Sequence, residues 1–347
     1  MTAPRVGVIA RCDDRGLGHL TWQVAVHMAD EVLVVDAGQW SPFPQHPGRY
    51  PGAEVTPWDA RQQLDESTVR RFLRTVDVVY TAETWYDDRL PQWCADEHVA
   101  LVCHVMPELL RADWAATPGV GWWAPTSWRL AALPHGTRLV PVPVPDRRSV
   151  PAARATDRVR FLHVGGRRAA GDRNGTLLVA SAVRWVTAPC TVTMRSQDGV
   201  LPRMTPAPGV DVERVTDDAQ VAWWEMYGHD HVLVLPRRYG GLCLPVLEAM
   251  AAGMAVLMPD VEPQRSDWPP VLTVPVAHRR ELRTPCGPVD VHDVAAVDLA
   301  YAMAELARDP AAVARAQDAT TRWADAHGWD QLGALWREEM AEAARAR

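Results

Sequence analysis

Residues 141–155 read Pro-Val-Pro-Val-Pro-Asp-Arg-Arg-Ser-Val-Pro-Ala-Ala-Arg-Ala. Proline lacks an amide hydrogen and clashes with the preceding turn, so prolines at alternate positions support neither a helix nor a central strand. This stretch therefore splits the chain, and the two parts carry the same pattern. In the first, apolar runs at 5–10, 32–36, 76–81, 101–105 and 121–125 read as buried strands, with helical periodicity at 21–29 and 65–73. In the second, 159–164, 191–194, 231–235 and 255–258 are strand-like. Residues 176–185, 219–227, 245–252, 294–307 and roughly 310–344 are helical. Alternation of this kind predicts an α/β protein with a parallel, doubly wound sheet, here built twice. The predicted domains are 1–145, a linker at 146–158, a second domain at 159–328 and a closing helix at 329–347.

A chain of 347 residues suits two domains of about 150 residues each. With 48 % hydrophobic and 23 % charged residues it can fill two cores. No run of 18 apolar residues occurs and the N-terminus enters a strand directly, so neither a membrane span nor a secretory signal is expected. Six cysteines without a Cys-x-x-Cys pair predict reduced thiols and a cytoplasmic protein, and argue against structural zinc. There is no lysine, so arginine supplies all 36 basic charges. Any phosphate must then be held by arginine, backbone amides or a helix end. The net charge of -7 argues against indiscriminate nucleic-acid binding.

The most informative segment, 235–260, reads Leu-Pro-Arg-Arg-Tyr-Gly-Gly-Leu-Cys-Leu-Pro-Val-Leu-Glu-Ala-Met-Ala-Ala-Gly-Met-Ala-Val-Leu-Met-Pro-Asp. It predicts a strand, a glycine loop, a short helix, a stop at Gly253 and another strand. Pro245 fits the first helical turn and Gly253 the position past the helix end. The amides near Cys243 and Leu244 would make an anion site. Glu248, one turn in, could accept hydrogen bonds from a ribose diol.

This segment resembles the signature of family-four glycosyltransferases, in which Tyr-Glu-Gly-Phe-Gly-Leu-Pro-Val-Leu-Glu-Ala-Met-Ala carries two glutamates eight positions apart. Tyr239, Gly241, Leu244, Pro245, Val246, Leu247 and Glu248 match. The resemblance implies the GT-B fold: two Rossmann-like domains facing a cleft, the first for the acceptor and the second for a nucleotide-sugar donor. It also implies that the closing helix, within 330–344, packs back on the first domain. Glu248 would bind the nucleotide ribose, and residues 239–244 (Tyr239, Gly240, Gly241, Leu242, Cys243, Leu244) would line the donor. The first family glutamate is Gly240 here, and the following Phe and Gly are Leu242 and Cys243. A glycine can supply neither a nucleophile nor a side-chain hydrogen bond. Either the chain is catalytically silent and only binds nucleotide-sugar, or the reaction needs no nucleophile there, as in a retaining front-face transfer assisted by the leaving phosphate.

At the end of the strand at 159–164 stands Gly165-Gly166-Arg167-Arg168-Ala-Ala-Gly-Asp-Arg173-Asn174-Gly175-Thr176. Family-four enzymes carry a Gly-Arg and then a Lys-Gly at this point. The resemblance makes Arg167 and Arg173 the pair gripping the donor diphosphate, with Gly166 beside them. Two cations there stabilise the leaving group without a metal, and no cofactor is implied beyond the UDP- or GDP-linked sugar used as substrate. Gly16 and Gly18, after the first strand, read either as a tight turn or as a loop lying against the donor. His104 ends a strand, where it is structural or, by the resemblance, beside the donor hexose. Glu83, Glu108, Asp13 and Asp14 follow strand ends and read as capping or solvated carboxylates, or as groups orienting an acceptor. Among 16 tryptophans, Trp85, Trp122 and Trp123 fall near strand ends.

The resemblance is closest over 165–260, looser over 1–40 and 98–145, and poor at 40–75 and 261–290. The runs 11–18 and 172–176 are similar to glycosyltransferases of actinobacteria and their phages. The acceptor is left open: a protein, a modified DNA base (the one way nucleic acid would enter), a glycan or a small molecule. The sugar epimerase that shares the fold would show a different acidic and histidine set.

Overall fold

The computed structural model describes residues 3–41, 43–59, 61, 63–146, 152–165, 172–197, 199–216, 223–284 and 287–346. They form two units, Met1–Pro143 with Trp329–Arg347, and Val144–Gly328. Each unit holds one parallel sheet.

The first unit runs β1 (Val6–Arg11), α1 (Gly16–Met28), β2 (Glu31–Asp36), β3 (Glu54–Pro57), α2 (Glu66–Leu73), β4 (Val78–Ala82), α3 (Leu90–Asp96), β5 (Ala100–His104), α4 (Ala112–Ala115), β6 (Val120–Ala124) and β7 (Arg138–Leu139). The sheet order is β3-β2-β1-β4-β5-β6-β7. Strands β1, β4 and β5 are buried along their whole length, as central parallel strands covered on both faces must be. Helix α2 starts cleanly because the Asp65 carboxylate accepts from the Thr68 amide (2.9 Å). The final helix, Trp329–Arg345, belongs to this unit. Trp329 stacks on His27 at 4.5 Å, Trp336 donates its indole N–H to the Pro141 carbonyl (2.9 Å), and Arg138 pairs with Glu339 (2.7 Å).

The second unit runs β8 (Arg160–Val164), α5 (Thr176–Ala182), β9 (Cys190–Arg195), β10 (Val210–Val215), a 3-10 turn (Trp223–Met226), β11 (Val232–Val234), α6 (Leu244–Ala251), β12 (Ala255–Pro259), α7 (Gln264–Asp267) and β13 (Leu272–Val274). It continues with β14 (His278–Thr284), β15 (Gly287–Asp293), α8 (Ala296–Arg308) and α9 (Pro310–Ala326), and the closing helix Trp329–Arg345 is α10. Its sheet order is β10-β9-β8-β11-β12-β13, and β14 and β15 form a separate antiparallel hairpin. The core lies between the sheet and α5, α8 and α9, around Val179, Phe161, Val192, Val232 and Met303.

Several expectations change in detail. The helical stretch at roughly 310–344 comprises two helices, parted at His327 and Gly328 just before the closing helix, and the Val144 amide donates to the His327 carbonyl there (2.9 Å). The described part of the expected linker is stitched down. The Ala152 amide donates to the Ala252 carbonyl (2.7 Å), and Gln317 on α9 donates to the Ala153 carbonyl (2.9 Å). Strands β3, β7, β10 and β13 and the β14–β15 hairpin went unpredicted, and the helix expected over 219–227 is the 3-10 turn as far as it is described. Among the described residues, no helix is long and apolar enough to cross a membrane.

Candidate functional site

Both sheets have the 3-2-1-4-5-6 order of a doubly wound fold. A ligand of such a sheet sits beyond the carboxyl ends of the strands, where the order reverses. In the second unit that point lies between β8 and β11, so the loops after these two strands are the candidate site. His163 clamps the point from within. It is fully buried, with Nδ1 at 2.9 Å from the Val234 carbonyl and Nε2 at 2.9 Å from the Thr176 hydroxyl. Burial pulls its pKa down to about 4, so the ring is neutral: Nδ1–H donates to the carbonyl and Nε2 accepts from Thr176.

After β8, Gly166 and Arg167 lie outside the described residues. The chain returns at Asp172, whose carboxylate accepts from the amides of Thr176 (2.7 Å) and Leu177 (2.9 Å). Asp172 thus satisfies the first turn of α5 and puts a negative charge where an anion would otherwise dock. Arg173 turns towards the second loop. Its Nε donates to the Tyr239 carbonyl (3.1 Å) and its guanidinium lies over the Tyr239 ring, 5.1 Å from the centroid.

The loop after β11 is held by a residue the motif did not mark. Arg237, buried, donates from Nε to the Tyr239 carbonyl (3.2 Å) and from Nη2 to the Leu242 carbonyl (2.7 Å). These bonds wrap 239–242 around one guanidinium. Gly240, where the family glutamate would stand, has φ +120. Only glycine adopts that backbone without strain. Leu242 and Cys243 are buried, and burial raises the Cys243 pKa, which keeps the thiol protonated. Helix α6 then begins with Leu244 and Pro245 in its first turn, and Cys243, just before it, makes no side-chain cap bond.

Glu248, on α6, is 5 % exposed, and its Oε2 accepts from the Tyr227 hydroxyl at 2.6 Å. The second loop thus combines an aromatic-backed guanidinium, an uncapped helix start and an oriented carboxylate. That set can hold an anionic group and a polyol.

The first unit corrects other expectations. His104 is fully buried and its Nδ1 faces the Tyr80 hydroxyl at 3.1 Å. Tyr80, Trp123 and Trp336 enclose its ring at centroid distances of 6.0, 6.0 and 5.5 Å. Burial brings its pKa down to about 3. Enclosed this way it packs as a core residue of its unit. Gly16 opens α1, and Gly18 follows in its first turn. A Cβ at Gly18 would lie 2.0 Å from the Asp13 carbonyl oxygen, so close packing accounts for that glycine. Asp13 is fully buried between Arg11 and Arg15 (Nη2 at 2.7 Å). Asp14 pairs with His46 (2.7 Å) and Arg49. Trp85, Trp122 and Trp123 are buried, Trp85 stacking on Trp114 at 4.6 Å. Glu108 is buried too.

Sequence reasoning missed Asp172, His163, Arg237 and Tyr227. Asp172 carried a signal, an acidic residue just before a helix start. His163 and Tyr227 act through contacts distant in sequence, and Arg237, though its contacts are local, stands outside the motif; none of the three carried a signal.

No protein-family model and no curated protein matches the chain. Solved structures do. The chain is similar to sucrose-phosphate synthase from Thermosynechococcus elongatus, with TM-score 0.61 and 14 % identity over 97 % of this chain and 99 % of that one. It is similar to Anabaena HepE in complex with UDP-glucose, with TM-score 0.66 and 11 % identity over 99 % and 100 %. A third is the lipopolysaccharide outer core galactosyltransferase WaaB in its apo form, with TM-score 0.60 and 11 % identity over 99 % of each chain. At these identities the likeness establishes the fold, and the fold is GT-B.

Proposed function

We propose that this chain is a nucleotide-sugar-dependent glycosyltransferase, retaining and metal-independent, with its donor site at the β8–β11 switch point. One observation carries the reading. Glu248 is held buried on α6 by Tyr227, on the same loop system where Arg173 stacks on Tyr239. The carboxylate would accept from the ribose hydroxyls of UDP or GDP. The diphosphate would rest on the α6 amides and on Arg173, joined by Arg167. Two cations there would stabilise the charge that builds on the leaving diphosphate, which would lower the barrier without a metal ion. The UDP-glucose bound by the similarly folded HepE supports a nucleotide-sugar as the donor. The acceptor is a hydroxyl of a phage or host protein, a modified DNA base, a glycan or a small molecule, and the reaction belongs to a cytoplasmic protein of the actinobacterial and phage kind.

The second reading, a silent nucleotide-sugar binder, is favoured by Gly240, whose φ of +120 suits the backbone to glycine and not to a glutamate. Binding and turnover separate the two. Charge-assisted hydrogen bonds contribute about 1.5–3 kcal/mol, so Glu248→Ala should weaken UDP or GDP binding about ten- to a hundred-fold in calorimetry. Hydrolysis of UDP- or GDP-sugar by the parent chain, insensitive to EDTA, supports the transferase. Tight binding with no hydrolysis supports the silent protein.

A further inference from the structure

We propose that Tyr227 is a positioning residue for the donor ribose: by donating its hydroxyl proton to Glu248, it sets the orientation in which that carboxylate receives the ribose diol. The proposal rests on the donor reading above.

A glutamate on a helix has three side-chain torsions and several staggered rotamers, and choosing among them on binding costs entropy. Glu248 has had the choice made for it. The Tyr227 Oη to Glu248 Oε2 distance is 2.6 Å, in the range of a charge-assisted O–H···O⁻ bond. Both ends are fixed. Tyr227 is 1 % exposed and Glu248 5 %, and a tyrosine ring has only two torsions to lose. The bond joins segments far apart in the sequence, since Tyr227 follows the 3-10 turn Trp223–Met226 before β11 while Glu248 lies on α6 beyond it. A carboxylate has about four acceptor positions, and the tyrosine takes one of them.

The hydroxyl is also a dependable donor. Burial raises the Tyr227 pKa well above its ordinary value, and the Glu248 charge raises it further. If the ring merely filled the core, phenylalanine would serve and the hydroxyl would be a buried polar group in need of a partner. The two roles differ in what they predict: a packing role is indifferent to the nucleotide's ribose, and a positioning role is not.

The test is calorimetry of the full chain, Tyr227→Phe, Glu248→Ala and the double variant. The probes are UDP and GDP and their 2′,3′-dideoxy counterparts, with thermal melts confirming that each variant folds. With whichever ribonucleotide the parent binds, Tyr227→Phe should weaken binding about five- to twenty-fold. Its affinity for the dideoxy nucleotide should match the parent's, and adding it to Glu248→Ala should cost nothing more. Equal losses with ribose and dideoxyribose, no loss at all, or full additivity in the double variant would each overturn the positioning role while leaving the donor site standing. If the parent binds neither nucleotide, or Glu248→Ala binds as the parent does, the donor reading itself falls and the role of Tyr227 goes with it.

Discussion

The two switch points of this molecule share the doubly wound strand order and hold their arginines with different partners. After β1, the guanidiniums of Arg11 and Arg15 close on the fully buried Asp13, and Arg49 closes on Asp14. After β8 and β11, Arg173 and Arg237 are oriented by the carbonyls of Tyr239 and Leu242, and Asp172 is committed to the amides of α5. A carboxylate neutralises the cation it holds, whereas a carbonyl fixes the direction of the guanidinium that donates to it. Arg238, bonded to Asp293 at 2.6 Å, shows the first arrangement next door to the second. The same architecture thus yields a turn closed by ion pairs in one unit and a loop ordered by guanidinium–carbonyl bonds in the other.

The comparison breaks most visibly at Asp13. Removing one partner of a buried pair strands the other charge, at a cost of about 3–5 kcal/mol. Arg11 has only 8 % of its side chain exposed, so Asp13→Ala should destabilise the first unit by that amount in urea titration. An effect below about 1 kcal/mol would mean that Arg11 reaches water and that the first switch point is not built on compensation.

That asymmetry could not be read from the sequence, although much around it could. Strands β1, β4 and β5 announced themselves because parallel strands covered on both faces are continuous apolar runs. Strand β3 is a half-exposed edge containing Pro57, and the β14–β15 hairpin carries Arg279, Arg280, Glu281 and Arg283 on its outside, so neither has such a run. Glu248 was legible because its motif is local, with a helix start, a stop and a one-turn spacing all within a few residues. Tyr227 was not, since nothing near residue 227 says what its hydroxyl meets. His104 was left open by the sequence: a strand end suits a structural or a ligand-facing histidine, and its packing against Trp336 on the closing helix is visible only in three dimensions.

The two units should behave alike in one respect, and acid tests it. His104 and His163 have pKa values pulled down by burial to about 3 and about 4. The unfolded chain takes up these protons near pH 6.5, while the folded chain stays neutral until the lower values. Stability is therefore complete above pH 6.5 and falls as the pH drops towards the folded pKa. At pH 5 each histidine should have removed about 2 kcal/mol relative to pH 7. In the first unit, Tyr80→Phe with His104→Phe removes the titrating ring together with its partner. Urea titrations at pH 7 and pH 5 should show the double variant losing about 2 kcal/mol less than the parent over that interval. A loss equal to the parent's would mean that His104 is protonated inside its aromatic shell.

The smallest effect separates two glycines. Gly18, in the first turn of α1, is required by crowding, because a Cβ there would lie 2.0 Å from the Asp13 carbonyl oxygen. Gly240 is required by conformation, its φ being +120. Left-handed backbone costs an L-residue about 1–2 kcal/mol, so Gly240→Ala should destabilise the second unit by about 1 kcal/mol and leave the first unit's transition where it was. Gly240→Glu, which restores the family residue, carries the same backbone cost, and its side chain would start from a strained loop rather than from the geometry a glutamate prefers. If Gly240→Ala and the parent unfold at the same urea concentration, the loop tolerates an ordinary residue at 240. The argument from backbone shape for the silent reading would then be lost, and Gly240 would differ from the family glutamate only in the side chain it lacks.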